Sequence, residues 1–187
     1  MAEADSHIGT RASRAGDYPQ GDPSWLKHFD GRTADPGTWV DVASGPGRLS
    51  IRMARRGLEV LAIDISPVGL ALAREAAADE GVKIATRAMD LEREPLPEGP
   101  YAMIACFHYR QRSLFPVLVA HLAPGGVIVA ELATAKNAER NEKPSKKWLC
   151  APNELIRDSR DLEVLYYREA WVGDRHLARL VARRGEE

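Results

Sequence analysis

Trp39-Val-Asp-Val-Ala-Ser-Gly-Pro-Gly-Arg48, with Asp64 closing the next apolar run, decides how this chain is read. An apolar run stops at a glycine-rich turn, a helical pattern opens at Arg48, and a second apolar run, Glu59–Ile63, ends on a carboxylate. That order spells a strand–loop–helix–strand unit. Glycines at such a turn let the backbone bend sharply and approach a ligand closely. Asp64 lies about twenty residues beyond Asp41, the separation at which such a unit offers an acid to a ribose. The unit is suited to a nucleoside-bearing cofactor.

The side chains around the turn say which kind. A dinucleotide site carries a third glycine three residues after the second, so that the helix packs close to the pyrophosphate. Here that place is Ser50. Asp41 also sits inside the strand just ahead of the loop, where a carboxylate is unhelpful beside pyrophosphate and useful beside an ammonium or sulfonium. The charge pattern favours a cationic amino acid joined to adenosine.

Working outward, the pattern predicts strands at Thr38–Val42, Glu59–Ile63, Val82–Ala88, Tyr101–Phe107 and Val127–Leu132. Helices are expected over Arg48–Arg56, from the Ser66 cap and Pro67 to about Asp79, and from Ser113, with Ala123-Pro-Gly-Gly126 as a break. Asp22–Phe29 reads as a short helix, and Pro152–Arg157 as another. Residues 133–151 read as a long polar loop, with Lys143, Lys146, Lys147 and Trp148 in a position suited to a lid. Leu162–Val172, Gly173-Asp174 and His176–Ala182 read as a hairpin. The fold class that follows is α/β: a Rossmann-like, doubly wound, mostly parallel seven-stranded sheet with a C-terminal antiparallel hairpin. Residues 1–22 are expected to be a flexible leader, and 23–187 a single domain.

Composition narrows the function classes. In 187 residues, 26 basic and 27 acidic side chains leave a formal charge of -1, which argues against nucleic acid and against an acidic membrane surface as partners. No apolar run reaches the ~18 residues of a membrane span, and the first residues lack a signal-peptide core, so the cytoplasm is the expected location. Cys106 and Cys150 have no metal-like spacing, and no metal site is expected.

The chain resembles the class I S-adenosylmethionine-dependent methyltransferases. The matching stretches are Asp41-Val-Ala-Ser-Gly-Pro-Gly47, Asp64, Met89-Asp90-Leu91 and Leu122-Ala-Pro-Gly-Gly126. Arg112-Ser-Leu-Phe-Pro116 and the compact length are similar to the small-molecule branch that includes tellurite-resistance and thiopurine enzymes. The resemblance implies S-adenosyl-L-methionine as cofactor. It implies that Asp64 takes the ribose hydroxyls with Ile65 against adenine, and that Asp90 receives the adenine amino group with Leu91 on the other ring face. Asp41, Ala43, Gly45 and Gly47 would hold the methionine portion, completed by main-chain groups of Cys106 and Phe107. His108 and Tyr109 stand where the class meets its acceptor, His108 as the candidate general base. Cys-Phe-His-Tyr at that place departs from the Asn/Asp-Pro-Pro-aromatic signature of amino-group methylation on bases or glutamine. Ala43, where the family usually has glycine or cysteine, and Pro46 between the two glycines are small departures.

The expected activity is methyl transfer to a small-molecule acceptor. A nicotinamide-dependent oxidoreductase is the first alternative, weakened by Ser50, Asp41 and the hairpin. A non-catalytic S-adenosylmethionine-binding protein is the second. The acceptor atom and the oligomeric state are not written in these residues.

Overall fold

The structure, a computed structural model, describes Trp25–Leu26 and residues 37–186. The expected leader and all but two residues of the helix expected at Asp22–Phe29 lie outside the described residues. Seven strands form one sheet in the order β3-β2-β1-β4-β5-β7-β6. The strands β1 (Thr38–Val42), β2 (Glu59–Asp64), β3 (Ala85–Ala88), β4 (Tyr101–Phe107) and β5 (Leu122–Ala133) run parallel. The hairpin then adds β6 (Glu163–Val172) and β7 (Arg175–Arg183), with β7 antiparallel to both β5 and β6. This is the expected class, including the antiparallel end.

Side chains alternate across the sheet, so each strand feeds two cores. Val40, Val42, Ile104, Cys106, Ile128, Ala130 and Leu180 face one core with Leu114, Phe115 and Leu118 of helix α3 (Leu114–Ala120). Trp39, Met103, Ala105, Val127, Val129 and Val181 face the other, with Leu49 and Met53 of α1 (Arg48–Ala54). Full burial of one such side chain is worth roughly 1.5–3 kcal/mol. Helix α2 (Pro67–Asp79) starts as the sequence dictates: Gly69 N–H donates to Ser66 Oγ at 3.1 Å, and Pro67 needs no amide partner there.

Beyond shifts of one or two residues at element ends, three segments differ from the sequence reading. β3 starts at Ala85 and not at Val82, because its pairing with β2 begins at Leu61–Ala85. β5 begins at Leu122, five residues early, because Leu122 pairs with Tyr101 before the register shifts to Met103–Val127. Residues 133–151 are built, with 3-10 turns at Ala135–Glu139 and Lys146–Trp148 and a parallel bridge between Thr134 and Cys150. The segment is fastened to the turn after β4. Buried Arg110 pairs with Glu154 and Asp158, at the two ends of α4 (Glu154–Asp158). Arg112 adds a 2.7 Å contact to Glu154 and donates to the carbonyls of Lys147 and Leu149. Lys143, Lys146 and Lys147 are exposed.

Candidate active site

The order β2-β1-β4-β5 places a topological switch between β1 and β4, and ligands of open α/β sheets bind at the carboxyl ends of the strands there. The glycine-rich loop occupies that place. Ala43, Gly45 and Gly47 all have positive φ, 56°, 54° and 73°, so the loop coils tightly over the end of β1. Ala43 does so with a side chain, at a cost of about 1 kcal/mol. Gly47 is fixed by packing, since a Cβ there would lie 2.7 Å from that of Ala73 on α2.

Asp41 lies beneath the loop, 4% exposed. Ser50, the residue in the third-glycine place, donates its hydroxyl to Asp41 Oδ2 at 2.6 Å. Burial pushes this carboxyl up to about 6, against the hydrogen bonds from Ser50, with a further push from the charge of Asp64. Ser44 adds a buried hydroxyl without a hydrogen-bond partner among the described residues. A desolvated carboxylate and an unanswered hydroxyl at one loop are what a cationic, polar ligand would satisfy.

Asp64 ends β2 and accepts two backbone N–H bonds, from Gly45 on Oδ2 at 2.7 Å and from Ser66 on Oδ1 at 2.8 Å. Each oxygen keeps a second lone pair. Beside it Ile65 and Val68 are half exposed, 50% and 51%, an open apolar ledge of the kind an adenine ring covers. Asp90 organises the turn after β3, taking the Glu92 N–H at 3.0 Å and facing Arg93 at 3.4 Å. Leu91 is buried in the core, and its carbonyl accepts the Gln111 amide at 3.1 Å.

At the end of β4, Cys106 is buried and its thiol donates to the Tyr109 carbonyl at 3.2 Å. Burial and the Asp41 charge push the thiol up to about 12, so it stays protonated and does not act as a nucleophile. The chain then reverses at His108, φ 58°. This turn sends the two residues expected together in opposite directions. Tyr109 donates to Gln111 Oε1 at 2.8 Å, and burial together with Glu92, Asp90 and Asp64 raises its phenol. Its ring lies beside Trp148, with centroids 6.4 Å apart. His108 turns toward β5 and β7, its Nε2 3.5 Å from Glu131 Oε1, and Glu131 Oε2 accepts Arg179 Nε at 2.6 Å. Phe107, Trp25 and Tyr166 stack beside this group, with the Arg179 guanidinium over the Trp25 ring.

Residues 40–126 match the family model described as a methyltransferase domain. The match supports the resemblance to the class I S-adenosylmethionine-dependent methyltransferases. It is 31% identical over 128 residues to a ribosomal protein L11 methyltransferase of Symbiobacterium thermophilum, over 67% of this chain and 41% of that one. It is 31% identical over 113 residues to a ubiquinone biosynthesis O-methyltransferase of Marinobacter nauticus, over 56% of this chain and 48% of that one. The chain thus spans less than half the length of either relative. Among solved structures, TehB from Haemophilus influenzae superposes with a TM-score of 0.74 at 20% identity, covering 91% of this chain and 65% of that one. That likeness shows the fold. The cofactor of that family is S-adenosylmethionine, and the loop fits it: the buried Asp41 carboxyl and Ser44 hydroxyl would face its polar end, and the Asp64 carboxylate and exposed Ile65 its adenosine.

Glu131 and Arg179 are the neighbours of His108 that sequence reasoning does not reach. One signal was visible: Glu131 is the lone charge in the apolar run Val127–Leu132. A buried acid in such a run requires a partner.

Proposed function

We propose that this protein transfers a methyl group from S-adenosylmethionine to a small-molecule acceptor, with His108 as general base. The observation that carries this reading is the buried, weakly answered Asp41 carboxylate under the glycine-rich loop, a site that calls for a cation. Bound there, S-adenosylmethionine supplies a sulfonium methyl that is electrophilic without further activation. The chain's own work is then to orient donor and acceptor, which brings most of the acceleration, and to remove a proton from the acceptor where it has one.

His108 is suited to that proton. It sits on the turn directly after β4, its side chain is 29% exposed, and Glu131 stands behind it. Burial lowers its pKa, Glu131 opposes that, and Arg175 and Arg179 add to the lowering, which keeps the imidazole neutral at physiological pH. Tyr109, with its phenol raised, is a hydrogen-bonding and packing group.

A small acceptor is supported by the aromatic surroundings, Phe107, Trp25 and Tyr166 on one side and Tyr109 with Trp148 on the other. The near-neutral net charge also speaks against nucleic acid. No helix among the described residues is long and apolar enough to cross a membrane. One relative is named for ubiquinone biosynthesis and another for a ribosomal protein, so the test carries both kinds of acceptor. The protein is incubated with S-adenosylmethionine and panels of phenols, thiols, amines and oxyanions, with ribosomal proteins as a separate arm. Release of S-adenosylhomocysteine with a small molecule is the expected result. Turnover only with a protein would overturn the acceptor class, and binding of NADH in preference to S-adenosylhomocysteine would overturn the donor.

A further inference from the structure

We propose that Glu131 is a positioning residue for His108: its carboxylate holds the imidazole as the Nε2–H tautomer and leaves Nδ1 as the atom that takes the acceptor's proton. The inference rests on His108 being the base, and adds to that reading which nitrogen acts and what sets it.

Glu131 grips His108 twice. Its carbonyl accepts the His108 N–H at 2.8 Å, and its Oε1 stands 3.5 Å from His108 Nε2. The first bond anchors His108 in a left-handed conformation that costs a non-glycine residue about 1–2 kcal/mol. Strain of that kind persists only where the surroundings enforce it, and it aims the ring at Glu131. Distances between catalytic groups are commonly long before a ligand binds and tighten afterwards.

The carboxylate itself cannot wander. It is 6% exposed on β5, and Oε2 is held by Arg179 Nε at 2.6 Å from the neighbouring β7, where Arg179 and Glu131 are register partners. Arg179 is held in turn: its guanidinium lies 5.2 Å from the centroid of the Trp25 ring, and Trp25 stacks on Tyr166 at 5.6 Å. An ionised carboxylate only accepts hydrogen bonds, so the ring nitrogen facing it carries the hydrogen and the other keeps its lone pair. The charged groups around the imidazole are Glu131 on β5 and Arg175 and Arg179 on β7. Among these described groups, Glu131 is the one that stabilises the imidazolium.

The step balances. The acceptor's lone pair forms the new bond to the methyl carbon while the sulfur–methyl pair stays with sulfur. The acceptor's proton passes to Nδ1, and the imidazolium positive charge then lies against Glu131.

The experiment is two-bond ¹H–¹⁵N correlation NMR of the labelled protein, following His108 against pH in wild type, Glu131→Gln and the charge-neutral double variant Glu131→Met/Arg179→Met. Wild type should show the Nε2–H tautomer at alkaline pH. Glu131→Gln should lower the His108 pKa by about one unit, and the double variant, which leaves no buried charge unpaired if the single variant misfolds, should mix the tautomers. A wild-type Nδ1–H tautomer, or a His108 tautomer and titration indifferent to both variants, would overturn the proposal. Failure of the base reading looks different: His108→Ala would turn over at full rate with an identified acceptor, whatever the tautomer.

Discussion

Asp64 ties together the two loops that frame the cofactor crevice, taking the Gly45 N–H on one carboxylate oxygen and the Ser66 N–H on the other. The acid expected to hold the ribose is therefore also a brace. Asp64→Ala should weaken S-adenosylhomocysteine binding at least tenfold in calorimetry, and should lower unfolding stability by about 1–3 kcal/mol because two N–H groups lose their acceptor. Asp64→Asn, which keeps one acceptor oxygen, should recover part of the stability and little of the affinity. Loss of affinity with unchanged stability would separate the two roles.

Asp41 sets a pH dependence on donor binding. Its carboxyl is raised to about 6 in the folded protein, and a cationic ligand requires it ionised. The affinity for S-adenosylmethionine should be flat above that value and fall about tenfold per pH unit below it, with proton release on binding at pH 5. Calorimetry in buffers of different ionisation enthalpy reads both. Asp41→Asn should abolish the dependence along with most of the affinity.

The same residue predicts a stability effect of opposite direction. Because the folded pKa lies above the unfolded value of 3.8, the cost of ionising Asp41 is fully present above pH 6 and fades as pH falls toward 4. At pH 8, Asp41→Asn should stabilise the ligand-free protein by about 2–3 kcal/mol in denaturant titration, and the gain should shrink in acid.

Arg110 and Arg112 share Glu154 but not its burial: their side chains are 3% and 55% exposed. Arg110→Ala should cost about 3–5 kcal/mol by leaving Glu154 buried without its inner partner. Arg112→Ala should cost about 1 kcal/mol or less. Limited proteolysis should find residues 140–150 more readily cut in the first variant than in the second.

Much of the frame was legible because it is local. β1, β4 and α2 have the expected bounds, each written in an apolar run or a Ser-Pro start with flanking turn residues. The start of β5 was not, because Pro-Gly-Gly reads as a break. The structure uses Gly126 for close approach instead: a Cβ there would lie 2.9 Å from the Tyr101 carbonyl of the adjacent strand. Residues 133–151 read as a free polar loop because Arg112 and Glu154, which hold the Lys147 and Leu149 carbonyls and the Ala151 N–H, come from elsewhere in the chain, and because the Thr134–Cys150 bridge joins residues sixteen apart. At the site, Asp41, Asp64 and His108 were named from motif positions. Glu131 was hidden because its meaning depends on a turn at His108 and on Arg179 arriving antiparallel, and neither is a property of neighbouring residues.

Placing β7 between β5 and β6 has a consequence for biosynthesis. The edge of β5 away from β4, including Val129 and Ala130 with no exposed surface, is closed among the described residues by residues 175–183. Until they leave the ribosome, the nascent chain carries an apolar strand with unpaired amides, a template for association with other chains. A premature stop within the hairpin should therefore yield insoluble protein even with the donor crevice encoded in full, and a chaperone would be most needed before the hairpin is made.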